Sequence, residues 1–209
     1  MSKLRPVVFI SYSHENIDRD TLDYFKFLLE RHSDNAYRIL FDKDLQYGSD
    51  INAFMSLLNK EVDAVILLFT PSYKEKVVNR TGGVYKEFKA IMNRYDQFEE
   101  KKRKGVKSGE IEGYFALFPV LFSGTILSAV PAEIQSLKYI DLTRLRAVRN
   151  QRGRPIVPTK VEKEFIPEIL KMVSSLSVIS VLKSRSFEDL YDTYYPSITT
   201  RFHITTRLQ

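Results

Sequence analysis

The chain has 209 residues, 44% hydrophobic and 28% charged, which suits one well-cored domain plus a short extension and excludes a disordered chain. It has no cysteine and only His14, His32 and His203, so disulfides and thiol metal sites are excluded and no histidine cluster suggests a metal. The net charge of +6 falls largely in two clusters, Lys101 to Lys104 with Lys107, and Arg144, Arg146, Arg149, Arg152 and Arg154. The first sits in a Gly-containing polar stretch and reads as a solvated loop. A solubilising surface accounts for both clusters better than a nucleic-acid face does. Residues 1–5 lack the apolar segment of a signal peptide, and runs such as 64–69 are too short to cross a bilayer. A cytoplasmic protein without a membrane partner is the expectation.

Val7-Val8-Phe9-Ile10 is a compact run suited to a strand buried on both faces, ended by the polar residues Ser11 to Asn16. Leu22, Phe25, Leu28 and Leu29 then recur at helical spacing. Arg38 to Phe41 reads as a second strand, closed by Asp42 and a loop through Gly48. Ser49 or Asp50 caps a predicted helix whose inner face is Ile51, Phe54, Leu58 and Val62. Ala64 to Phe69 is a third strand, stopped at Thr70-Pro71. A polar segment from Ser72 to Gly83 leads to a third helix beginning near Val84, with the stripe Val84, Phe88, Ile91 and Tyr95. Tyr114 to Phe122 and Tyr139 to Leu142 are the fourth and fifth strands. Phe165 to Leu176 is a last amphipathic helix, introduced by a polar stretch around Pro155 and Pro158.

Strands alternating with helices indicate right-handed crossovers and a parallel sheet. The expected fold is α/β, flavodoxin-like and doubly wound, with five parallel strands in the order 2-1-3-4-5 and helices on both faces. Ligands bind such sheets beyond the carboxyl ends of the strands, where the order reverses. That places a crevice among Ser11 to His14, Thr70-Pro71 and the start of the third helix. Residues 1–176 make the domain. Residues 177–209 fit no repeat and read as a C-terminal extension, a docking segment or the start of a further module. Their large apolar groups, among them Phe187, Tyr191, Tyr194 and Phe202, are too many for a solvated linker.

Phe9-Ile10-Ser11-Tyr12-Ser13 resembles the first conserved box of Toll/interleukin-1 receptor (TIR) domains. Leu40-Phe41-Asp42-Lys43-Asp44-Leu45, with Gly48 and Ile51, is similar to their second box. Phe69-Thr70-Pro71-Ser72-Tyr73 resembles their third-strand ending, Phe118-Pro119-Val120-Leu121 their fourth-strand element and Tyr139-Ile140-Asp141-Leu142 their fifth. The ordered set is far more specific than any one of these. The resemblance implies either a scaffold that assembles signalling complexes or an enzyme that cleaves NAD+ between nicotinamide and ribose. Enzymatic members depend on a glutamate of the third helix, commonly in a Trp-Cys-x-x-Glu pattern. Glu87 matches that glutamate, while Gly83 and Val84 stand where the tryptophan and cysteine would be, a form similar to bacterial variants.

The chemistry allows one carboxylate to suffice. Nicotinamide leaves NAD+ as a neutral molecule, so no general acid is needed, unlike ordinary glycoside cleavage. Positive charge develops on the ribose, where a fixed carboxylate stabilises it or adds to it. On a helix of 100° per residue the apolar stripe centres near about 10° from Val84 and Glu87 lies near about −60°, at its border. Tyr12, Ser13 and His14 are candidate substrate contacts at the end of the first strand, and Asp42 is another. Asp44 and Gly48 match the loop to which the resemblance assigns gating and self-association, although Gly48 also suits a plain turn. The expected reading is thus an NAD+ glycohydrolase effector of bacterial anti-phage defence, with NAD+ as substrate and no cofactor. Homo-oligomers form through TIR–TIR contacts, and a partner or sensor module engages the extension. The alternatives are a non-catalytic TIR scaffold and, with less support, a nucleic-acid sensor using the arginine cluster. There is no Walker loop, Gly-x-Gly-x-x-Gly run or Gly-x-Ser-x-Gly elbow to favour a kinase, dehydrogenase or serine hydrolase.

Overall fold

A computed structural model of the chain describes residues 6–33, 37–41, 62–105, 115–156 and 158–183. Strands β1 (Val7–Tyr12), β2 (Arg38–Phe41), β3 (Ala64–Phe69), β4 (Ala116–Leu121) and β5 (Ile140–Asp141) form one sheet. Its order is β2-β1-β3-β4-β5 and every pairing is parallel, the flavodoxin-like α/β fold expected from the alternation. A strand central to such a sheet must be apolar on both faces. In β3 all six residues are buried.

Helices α1 (Arg19–Ser33), α2 (Pro71–Val78), α3 (Gly82–Arg103), α4 (Ile126–Ala129) and α5 (Thr159–Lys183) cover the two faces. On one side Leu22, Phe25 and Leu29 of α1 and Phe165, Ile169 and Met172 of α5 pack on Val8, Ile10, Tyr12, Ile66 and Leu68. On the other, Tyr73 and Val77 of α2 and Val84, Phe88 and Ile91 of α3 pack on Phe9, Val65, Leu67 and Phe69. Alternate residues of β1 therefore serve different layers. Buried Asp63 ties the amino ends of the strands together. Its Oδ2 accepts the Val7 N–H at 2.7 Å, its own N–H donates to Val7 O at 2.8 Å, and its carbonyl accepts the Ala116 N–H at 3.0 Å.

Several boundaries differ from the sequence reading. The stretch after Thr70 is not simply polar loop: it holds α2. Thr70 caps this helix by accepting the Tyr73 N–H at 3.1 Å, Pro71 opens it, and Ser72, Tyr73 and Val77 are buried. Lys101, Lys102 and Arg103 are not loop either. They form the last turn of α3, where the carbonyl end of the helix dipole favours cations. The arginine-rich stretch forms a hairpin, β6 (Val148–Arg149) against β7 (Pro155–Ile156), and Arg149 bonds Asp20 of α1 at 2.7 Å. The fourth and fifth strands are shorter at both ends than the runs that announced them. The last helix begins at Thr159 and passes through residue 176 to Lys183. The calls on Asp42, Asp44, Gly48, the predicted second helix before Val62, and residues 184–209 lie outside the described residues.

Helix α5 is part of the core. Phe165, Ile169, Met172 and Val173 are buried against α1 and the sheet, and Tyr24 of α1 donates to Glu162 at 2.9 Å. Four such side chains contribute roughly 6–12 kcal/mol by burial, comparable with the whole stability of a domain. A chain ending at residue 158 is therefore expected to lose cooperative thermal unfolding, measured by circular dichroism. A sharp transition near that of the full chain would contradict this account of α5.

Candidate active site

The strand order reverses between β1 and β3, so their carboxyl ends, Tyr12-Ser13 and Phe69-Thr70, border the crevice that doubly wound sheets use. Three elements meet there. Ser11 of β1, Tyr73 of α2 and Glu87 of α3 are joined by hydrogen bonds: Ser11 Oγ donates to Glu87 Oε2 at 3.1 Å and lies 3.1 Å from the Tyr73 hydroxyl. Ser11 and Tyr73 are fully buried, whereas Glu87 is partly buried at the edge of the helix stripe. This matches its expected border position beside Val84 and Phe88. Burial pushes the Tyr73 phenol above the ordinary tyrosine range, and the negative charge of Glu87 adds to that rise. The shift favours the protonated hydroxyl of Tyr73.

The loop after β1 is fastened to α2. Ser72 Oγ donates to the Glu15 carbonyl at 2.7 Å, and Lys76 pairs with the Glu15 carboxylate at 3.0 Å. Within this loop Ser13 is buried and its Oγ has no hydrogen-bond partner. A buried hydroxyl without a partner costs about 1–3 kcal/mol. His14 is exposed, its ring edge-on to Tyr12 at 4.8 Å. Tyr12 is buried on the α1 and α5 side of the sheet, packed edge-on to Phe41 at 5.9 Å, and so lies on the opposite face of β1 from Glu87.

The turn into α3 depends on Gly82, whose φ of +70° an L side chain adopts only with strain. Gly83 has ordinary φ and is exposed. A Cβ there would lie 3.9 Å from Glu87 Oε1, in plain van der Waals contact. The position that faces the carboxylate is therefore open rather than walled by a ring.

Of the residues singled out from sequence, Glu87 lies on the Ser11 side of β1 and Tyr12 on the opposite side. The sequence places Ser11 at the border of the crevice but gives it no contact to Glu87, and it gives Tyr73 only as part of a strand ending. The Thr-Pro pair at 70 and 71 carried the missing signal, an N-cap followed by proline at the first helical position. It turns Tyr73 inward on a helix instead of outward on a loop.

A family model of the TIR domain matches residues 8–154. The chain belongs to the TIR domain family. No curated protein matches the sequence. The matched span contains the sheet's strands apart from Val7, together with Ser11, Tyr73 and Glu87, while α5 lies beyond it. Among the described residues of this TIR domain, no group of acidic and histidine side chains is arranged to hold a metal, and no helix is long and apolar enough to cross a membrane.

The two glycines should respond differently to the same change. Gly82→Ala is expected to cost about 1–2 kcal/mol through the left-handed backbone it must keep. Gly83→Ala should be within about 0.5 kcal/mol of the parent, as an exposed site without special backbone. Urea unfolding of the two variants provides the comparison, and equal losses would contradict the assignment of the turn to Gly82.

Proposed function

We propose that this TIR domain cleaves NAD+ at the bond between nicotinamide and ribose, with Glu87 as the catalytic carboxylate. The observation that carries the reading is the partly buried carboxylate beside the strand-order reversal, one oxygen held by a buried serine hydroxyl. Glu87 supplies negative charge beside the ribose carbon as nicotinamide departs. That charge is preorganised, so little reorientation is needed when the oxocarbenium ion forms. No acid is required for the leaving group, and one carboxylate completes the machinery. Ser13 offers its hydroxyl to a polar group of the substrate. His14, Asp42 and Asp44 are further candidate contacts.

Self-association through the loop containing Gly48 is proposed to activate the domain, as an effector in the cytoplasm of a defended cell. The alternative reading is a TIR scaffold without catalysis. Its support is Gly83, which puts no aromatic ring against the bound base.

Glu87→Gln keeps the shape of the side chain and its capacity to accept from Ser11 while removing the charge. It is expected to lower NAD+ cleavage by a factor on the order of 10²–10³, the range seen when one preorganised electrostatic group is lost. Nicotinamide release, measured on concentrated protein with a melting curve for each variant, makes the comparison. A folded Glu87→Gln protein with parental turnover would remove Glu87 from the chemistry. A parent that leaves NAD+ intact while assembling in solution would favour the scaffold.

A further inference from the structure

We infer that Tyr73 and Ser11 form a directed hydrogen-bond relay that positions the Glu87 carboxylate, a role that rests on the catalytic reading of Glu87. The direction follows from counting protons. A serine hydroxyl has one proton, and Ser11 gives it to Glu87 Oε2. The second contact of Ser11 Oγ, at 3.1 Å, must then be received from the Tyr73 hydroxyl. Tyr73 keeps its proton because it is fully buried beside a carboxylate, so the relay runs one way, from phenol to serine to glutamate. Each donor in such a chain polarises the next, which strengthens the final bond to the charged oxygen.

The origin of the relay is rigid. The Tyr73 backbone is tied to the Thr70 cap at 3.1 Å, and its ring stands edge-on to Phe69 at 5.4 Å and to Phe88 at 6.3 Å. Phe88 is the next residue after Glu87 on α3, so the ring that starts the relay also packs beside the helix turn that carries its end. Ser11 sits in the central part of the sheet, paired with Leu67. A glutamate has three side-chain torsions, and on a helix border it would ordinarily sample several rotamers. Here Oε2 is anchored inward and Oε1 is left toward Gly83, the exposed side. Tyr73 and Ser11 are positioning residues: neither needs to touch NAD+, and both act through Glu87.

Because positive charge shifts from the nicotinamide ring onto the ribose carbon in the transition state, toward the carboxylate they orient, their loss should fall mainly on kcat. The experiment compares the full chain with Tyr73→Phe, Ser11→Ala, the double variant and Glu87→Gln in steady-state NAD+ cleavage, with melting curves for all. Ser11→Ala is expected to lower kcat roughly 10- to 100-fold at unchanged KM, as suits loss of one hydrogen bond to a charged group. Tyr73→Phe should lower kcat by about 3- to 10-fold, and the double variant should be no worse than Ser11→Ala, because the relay is already cut. If Ser11→Ala does not fold, Tyr73→Phe, which removes one oxygen from a preserved ring, carries the test. Parental kcat in a folded Tyr73→Phe or Ser11→Ala protein overturns the relay. So does a loss expressed as raised KM alone, which would make these groups substrate contacts. Those outcomes leave Glu87→Gln inactive, whereas failure of the catalytic reading itself would show as an active Glu87→Gln or an inactive parent.

Discussion

Strand β3 has no solvated side. Six consecutive side chains, alternating between two faces, are all withdrawn from water, and this requires a layer of helices above and another below. Parallel neighbours on either side then need crossover connections, which the helices supply. The sheet order, the reversal between β1 and β3 and the crevice at their carboxyl ends all descend from burying this one strand. Glu87, set on a helix beside that reversal, inherits its position from the core rather than from a loop of its own.

The two helical layers contribute differently. The layer of α1 and α5 is almost wholly apolar packing, with Tyr24 bonded to Glu162 and Arg149 bonded to Asp20 at its rim. The layer of α2 and α3 carries polar groups into the interior: Ser11, Tyr73 and Ser72 are all buried on or near it. Buried hydroxyls cost free energy unless paired, and here Ser11, Tyr73 and Ser72 bond to one another, the backbone or Glu87, with Ser13 the exception among the described residues. A core built only for stability would place apolar groups there. Their presence beside Glu87 fits the proposed role of that carboxylate.

Much of the fold was legible because strong periodicity survives tertiary packing. Val7 to Ile10 and Ala64 to Phe69 could hardly be other than buried strands, and the stripe Val84, Phe88 and Ile91 located α3 and the border position of Glu87. What was not legible had weak local patterns. Helix α2 has only eight residues, and its buried positions include a serine and a tyrosine, so its apolar stripe is faint. The basic run at 101 to 103 looks like loop because composition, unlike position at a helix end, says nothing of the dipole. The hairpin of β6 and β7 has two residues per strand with Val148 and Ile156 exposed, too short to alternate. Nor does any sequence pattern announce that Ser11 and Tyr73, 62 residues apart, share a hydrogen bond. That follows only once β1 and α2 are packed together.

The anchoring of β1 by Asp63 has a meaning for register. In a strand, neighbouring side chains point to opposite faces, so a slip by one residue exchanges the layers. Such a slip in β1 would drive the Tyr12 ring toward Glu87 and turn the Ser11 hydroxyl into the apolar layer of Phe25 and Leu29. The carboxylate of Asp63, accepting the Val7 N–H at one end of the strand, holds the alignment that brings serine and not tyrosine under Glu87 at the other. A single buried acid at the foot of the sheet thus acts as a ruler for which side chain meets Glu87 at its head.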